Sequence, residues 1–128
     1  MSASLLTVVV DCRDPRRLAG FWGMALGYDV GERNPDEYQA SDPFKIGGSL
    51  YFMKVPEAKV VKNRLHLDLV TDQPMEVEVA RLVSAGARVV DVRRDPPTHE
   101  NPDYWTVLQD PEGNEFCLSN ASTVTGWA

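Results

Sequence analysis

The chain has 128 residues, 43% hydrophobic and 25% charged, a balance that suits one globular domain and excludes a disordered chain or one that needs a metal or disulfide staple to fold. Its formal charge of −6, with no basic grouping longer than Arg16-Arg17 or Arg93-Arg94, argues against a nucleic-acid partner. No apolar run approaches the roughly 20 residues that span a bilayer, residues 1–11 lack the basic start of a signal peptide, and two cysteines are too few for a disulfide framework. No membrane partner and a cytoplasmic location with reduced thiols are therefore expected.

In chain order, Leu5 to Val10 is a β-branched run that predicts a well-buried strand. Asp14-Pro15 follows, a capping residue and a proline suited to the first helical position, and Leu18, Phe21, Trp22, Ala25 and Leu26 recur at helical spacing up to Gly27. Tyr28-Asp29-Val30 starts a second strand, Glu32 to Pro43 reads as a long loop, and Ser49 to Val55 reads as a strand. The same order returns from residue 65: a strand Leu65–Val70, a cap and early proline at Asp72 and Pro74, a helical stripe of Met75, Val79, Leu82 and Val83, Gly86, and a strand at Val89-Val90. Arg93 to Asp103 is a second long loop. Tyr104–Gln109, the turn Asp110-Pro111-Glu112-Gly113-Asn114 and Glu115–Ser119 form a hairpin. Asp14 and Asp72 are 58 residues apart and Gly27 and Gly86 are 59 apart, so one β-α-β-β-β unit is used twice. The expected fold class is α+β, one domain over 1–128 built from modules at about 5–57 and 63–121, with mixed sheets.

These features resemble the vicinal oxygen chelate superfamily, and in particular its glyoxalase-like branch. The residues that carry the resemblance are Val9 to Pro15, Val60 to Leu69 and Asp110 to Cys117, and it extends over about residues 5–120. The resemblance implies that the two βαβββ modules form a cupped mixed sheet, with a ligand site in the cup, helices on the outer face, and pairing into a homodimer. It also implies, in metal-bearing members, ligands from the first and last strand of each module. Here the first such position falls on Thr7, a poor ligand. The second falls within Leu50–Met53, with either Tyr51 and Met53 or Leu50 and Phe52 facing inward and no carboxylate in either set. The third falls on or beside His66, whose face also carries Asp68, while alternation turns Leu67 and Leu69 toward the helix. The fourth falls on Cys117, where metal-binding members carry glutamate, with Glu115 on the same face. Two donors do not make a catalytic metal site, so no metal and no cofactor are expected.

The candidate ligand-binding residues are Tyr51, Met53, His66, Asp68, Trp105 and Cys117, with His66 as the candidate catalytic base. Asp68 is read as a partner for His66 or an arginine, Cys117 as a small buried group without a cation to activate it, and His99 as a loop residue that could close over the cup. Two functions stay open. One is binding of a small, partly aromatic organic molecule, as in bleomycin-resistance-like relatives. The other is a metal- or His66-dependent lyase or isomerase acting on a small carbonyl compound. The net negative charge disfavours strongly anionic ligands unless an arginine from a loop enters the cup, so a neutral or cationic, partly aromatic ligand is expected.

Overall fold

A computed structural model describes residues 2–96, 98 and 104–122. The chain divides into two units, Met1–Val60 and Val61–Ala128, and each repeats the same element order. His99 and part of the second expected loop lie outside the described residues.

In the first unit, β1 (Val8–Cys12) leads into α1 (Pro15–Leu26), followed by β2 (Asp29–Asn34), β3 (Glu37–Ser41) and β4 (Ser49–Lys54). The strands lie in the order β1-β4-β3-β2, with β1 and β4 parallel and the other pairs antiparallel. Asp14 caps α1 by accepting from Arg17 N at 3.1 Å, and Pro15 fills the position whose N–H has no helical partner. Gly27 ends the helix in the left-handed conformation (φ 68°), which a residue with a Cβ reaches only at a cost. Leu18, Phe21 and Trp22 are buried against the sheet, the two rings meeting edge to face at 5.3 Å between centroids.

Two expectations fail in this unit. The opening strand starts at Val8, and Leu5 and Leu6 are 86% and 90% exposed; their apolar character alone does not bring them into the ladder. The segment Glu32–Pro43 is a hairpin and not a loop: Asn34 Oδ1 accepts from Asp36 N at 2.9 Å to close a tight turn, and Tyr38 and Ala40 alternate inward along β3. The strand Glu37–Ser41 contains no β-branched residue, so propensity did not reveal it.

The second unit has β5 (Leu67–Thr71), α2 (Met75–Ser84), β6 (Arg88–Arg94), β7 (Tyr104–Gln109) and β8 (Glu115–Asn120), ordered β5-β8-β7-β6. Asp72 does not cap α2. Pro74 occupies the capping position with extended backbone and no side-chain bond, Asp72 accepts from the Gln73 side chain, and Thr71 Oγ1 takes the Gln73 N–H at 3.1 Å. Glu76 and Glu78 supply the negative charge at this helix start. Met75 and Leu82 are buried, whereas Val83 is exposed, so α2 packs with a narrower stripe than expected. The core under it is Phe116, Leu118, Leu108 and Thr106. The turn after β7 is held by buried Asp110, whose Oδ1 accepts from Glu112 N at 2.9 Å and Asn114 N at 3.0 Å.

Between β3 and β4, Asp42 organises a further turn: its carboxylate accepts from the backbone N–H of Gly47 (2.6 Å), Phe44 (2.9 Å) and Ile46 (3.2 Å). These bonds, Gly47 first, hold the Asp42 carboxyl below its ordinary value of 3.8. The stabilisation is therefore complete above 3.8 and is lost as pH falls through the lower folded value. Asp42→Asn is expected to lower the urea midpoint near neutral pH, and the gap from wild type should narrow as the medium is acidified below 3.8. In the second core, Leu108→Ala should cost about 2–5 kcal/mol, whereas His66→Ala, on the open face, should stay within about 0.5 kcal/mol in the same urea titrations.

Candidate functional site

Each sheet has one helix on one face, and strand alternation decides which side chains lie on the other. In the second unit Leu67 and Leu69 share the helix face with Phe116 and Leu118, as expected from the alternation. Asp68 pairs in register with Cys117, and Cys117 with Val107, all on the open face. On β6 the register slips between Val89 and Asp91. Simple alternation from Val89, which pairs with buried Leu108, would turn Arg93 to the helix. The extra residue instead pairs Asp91 with Val107 and Arg93 with Trp105 on the open face.

The result is a cleft of about 450 Å³. Trp105, Val107 and Cys117 line its sheet wall, His66 and Asp68 one polar side, and Lys62 and Arg93 bring positive charge to it. Glu115 also lines the cleft, but one of its oxygens accepts from Asn63 N at 3.2 Å, and Asn63 in turn donates to Asn114 at 3.2 Å. These bonds tether the segment before β5, which carries Lys62 and His66, to the β7–β8 turn. The sequence condition for anionic ligands is thus met by an arginine, though from a strand and not from a loop. Charges a few ångströms from a ligand outweigh a distant net charge.

His66 Nε2 lies 3.2 Å from Asp68 Oδ1, in an exposed pair. Burial, and then the adjacent Asp68 carboxylate, push the Cys117 thiol above its ordinary value, against a smaller opposing effect of Lys62 and Arg93. Cys117 is therefore a protonated thiol near neutral pH and not an activated nucleophile. Cys12 is buried on the helix side of its sheet, and neither cysteine is in a disulfide.

The donor atoms of His66, Asp68 and Cys117 all lie within 4.8 Å of one another. The sequence alone counted two donors, since Asp68 was read as an ion-pair partner; the register beside Cys117 adds it as a third. The positions implied in the first module do not fit a metal. Thr7 Oγ1 donates to Ser49 O and accepts from Ser49 Oγ, both at 2.9 Å. Leu50 and Phe52 are core residues under α1, which settles the phase of that strand, and Tyr51 and Met53 take the open face of the first sheet. There Tyr51 Oη donates to Glu37 at 2.6 Å and accepts from Arg33 at 3.4 Å. The Glu37 bond, with burial second, raises the Tyr51 hydroxyl above its ordinary value.

The profile of the Glyoxalase-like domain matches residues 7–119. The chain belongs to this family, within the vicinal oxygen chelate superfamily. A crystal structure of a glyoxalase/bleomycin resistance protein/dioxygenase family enzyme from Burkholderia phytofirmans is 23% identical, covers 92% of this chain and 98% of its own, and superposes with a TM-score of 0.70. A glyoxalase-related enzyme from Fulvimarina pelagi is 18% identical, with 98% of each chain covered and a TM-score of 0.67. A mutant of the fosfomycin resistance protein FosX from Listeria monocytogenes, complexed with Mn(II) and dihydroxypropylphosphonic acid, is 12% identical, covers 93% of this chain and 90% of its own, and has a TM-score of 0.72. At these identities the likeness shows the fold: two βαβββ modules with open, cupped sheets. A search of curated proteins returned no match. No helix among the described residues is long and apolar enough to cross a membrane.

Arg93 and Trp105 are the residues this arrangement predicts to be most sensitive to register. Deleting Val90 removes the extra residue and makes Val89 and Asp91 consecutive, so plain alternation then gives the same pairs and Arg93 should stay on the open face. Accessibility of a cysteine placed at position 93 to a soluble thiol reagent should then match that of the same cysteine in the full-length chain, and a severalfold fall would show that the extra residue does not set the side taken by position 93.

Proposed function

We propose that this glyoxalase-like protein binds a small, partly aromatic organic molecule in the cleft on the open face of the β5-β8-β7-β6 sheet. The observation that carries the reading is the pairing of a flat aromatic surface with a polar end: Trp105 beside Arg93, facing the His66–Asp68 pair. An aromatic wall favours planar, polarizable ligands, and a few polar groups set their orientation. Lys62 and Arg93 suit a ligand whose polar end is neutral or anionic, such as an aromatic acid. Tyr51 and Met53 are proposed ligand contacts on the open face of the first sheet.

A second reading is a lyase or isomerase acting on a small carbonyl compound with His66 as general base. It is favoured by the 3.2 Å approach of Asp68 to His66, which orients the imidazole, and by the metal-bound FosX relative. A reducing, cytoplasmic setting accords with two cysteines that form no disulfide. Homodimer formation is proposed from the apolar side chains left exposed, among them Val70, Val77, Val89 and Val92, and from the open sheet edges. Light scattering should give a mass that rises toward two chains across the micromolar range; a constant monomer mass refutes pairing.

The binding reading is tested by a thermal-shift screen of neutral and anionic aromatic compounds. A ligand at 100 times its Kd should add about 2.7 kcal/mol of stability. Trp105→Ala is expected to weaken binding more than His66→Ala. If only thioesters or thiohemiacetals bind, His66→Ala abolishes binding and Trp105→Ala leaves it intact, the lyase reading replaces it.

A further inference from the structure

The helix face of the second sheet is covered unevenly. Register pairs Val89 with Leu108, Val92 with Thr106 and Arg94 with Tyr104. Leu108 and Thr106 are buried on the α2 side, so these pairs share that face, opposite to the cleft. Yet Val89 and Val92 remain 43% and 51% exposed. α1 sets Phe21 and Trp22 against its own sheet, whereas α2 carries no aromatic side chain. What is left between α2 and the β6–β7 edge is a groove of about 540 Å³. Met75, Val79, Val89, Val92 and Thr106 make it largely apolar, and Glu76, Arg94 and Tyr104 add a polar side, the Arg94 guanidinium lying 5.0 Å from the centre of the Tyr104 ring.

We propose that this groove is the docking site of the chain's own segment 123–128, with the Trp127 indole seated in it. Three observations select that occupant. The first is where the described chain ends. Ala121 N donates to Thr71 O at 2.8 Å and Asn120 Nδ2 donates to Gln73 O at 2.7 Å, so the chain leaves β8 beside residues 71–73, just ahead of Met75 and Glu76. The second is reach. β6 lies two strand spacings from β8, about 9.6 Å, and the five residues from Ser122 to Trp127 span up to about 17 Å when extended. The third is chemistry. Thr123-Val124-Thr125-Gly126-Trp127-Ala128 has no charged side chain and holds one of the chain's three tryptophans. An indole offers its ring edge to Val79, Val89 and Val92, its π face to Arg94 and its N–H to the Glu76 carboxylate.

The docked segment is a strap on one end of a ladder. Arg93 and Trp105 are the register pair next to Arg94 and Tyr104, and they face the other way, into the cleft. The strap therefore holds, from the helix face, the strand ends that present both cleft residues. Val89 and Val92 are then covered from within the chain, and pairing of two chains is left to Val70, Val77 and the open sheet edges.

Acrylamide quenching of the full chain tests the docking. The emission of Trp127 is read as the difference between wild type and Trp127→Phe. It is expected to lie to the blue of free tryptophan, with a quenching constant severalfold lower, at every protein concentration across the micromolar range. Val92→Asp should raise that constant severalfold, with circular dichroism to check that the variant folds. A chain ending at Ser122 should exchange the amide hydrogens of residues 104–106 severalfold faster than the full chain. Emission and quenching like those of free tryptophan in folded wild type overturn the proposal. So does protection that grows with protein concentration, because a second copy then supplies the cover. Protection unchanged in folded Val92→Asp overturns it as well, because Trp127 is then held elsewhere, and unchanged amide exchange in the shortened chain overturns the strap. No aromatic ligand enters these measurements and the groove lies on the face opposite the cleft, so their failure and failure of the ligand screen are read separately.

Discussion

Each of the two sheets has one helix, and that helix covers one face. The other face of a four-stranded sheet is left to whatever polar and aromatic side chains alternate onto it, and this one-sidedness governs the second unit in particular. Phe116, Leu118 and Leu108 lie beneath α2, and Cys117, Val107, Trp105 and Asp68 are forced to the opposite side by the two-residue period of the strand. Groups that would be costly to bury, such as Asp68 and Arg93, are placed where water or a ligand satisfies them.

The cleft is assembled from pieces with separate tasks. Asp110 and Asn114 shape the turn between β7 and β8, and the same turn receives Asn63 through Asn114 while Glu115 takes the Asn63 N–H. Asp110 to Glu115, part of one of the stretches that carry the family resemblance, therefore works as a clamp on the segment that carries His66, with Glu115 also lining the cleft. Chemistry is left to the next residue with the same strand phase, Cys117, and to the register partners around it.

The two units are alike in topology and unlike in content. In the first, the open face of the sheet carries a closed set, Arg33, Tyr51 and Glu37, whose hydrogen-bonding capacity is largely spent within the set. In the second, the open face carries an imidazole, a carboxylate and a thiol within reach of a single ion. A duplicated fold has thus been filled with different side chains, and function is argued from those side chains and not from the fold.

Much of this was legible in the residues alone. The repeat, the capped first helix, the Asp110–Asn114 turn and the inward phase of Leu67 and Leu69 follow from local preferences and from strand and helix periods, which act over a few residues. The hairpin at Glu32–Pro43 and the start of α2 were misread because Glu37–Ser41 has little intrinsic strand preference and Pro74, not Asp72, takes the capping position. Three things only the tertiary structure decided. The first was the phase of Leu50–Met53, set by the packing of Leu50 and Phe52 beneath α1. The second was the side taken by Arg93, because one extra residue on β6 reverses everything after it. The third was the meeting of Asp68 with Cys117, which are 49 positions apart and become neighbours only when two parallel strands choose their register. Local periods are written in the chain; which strand lies beside which, and in what register, depends on the free energy of the whole packed unit.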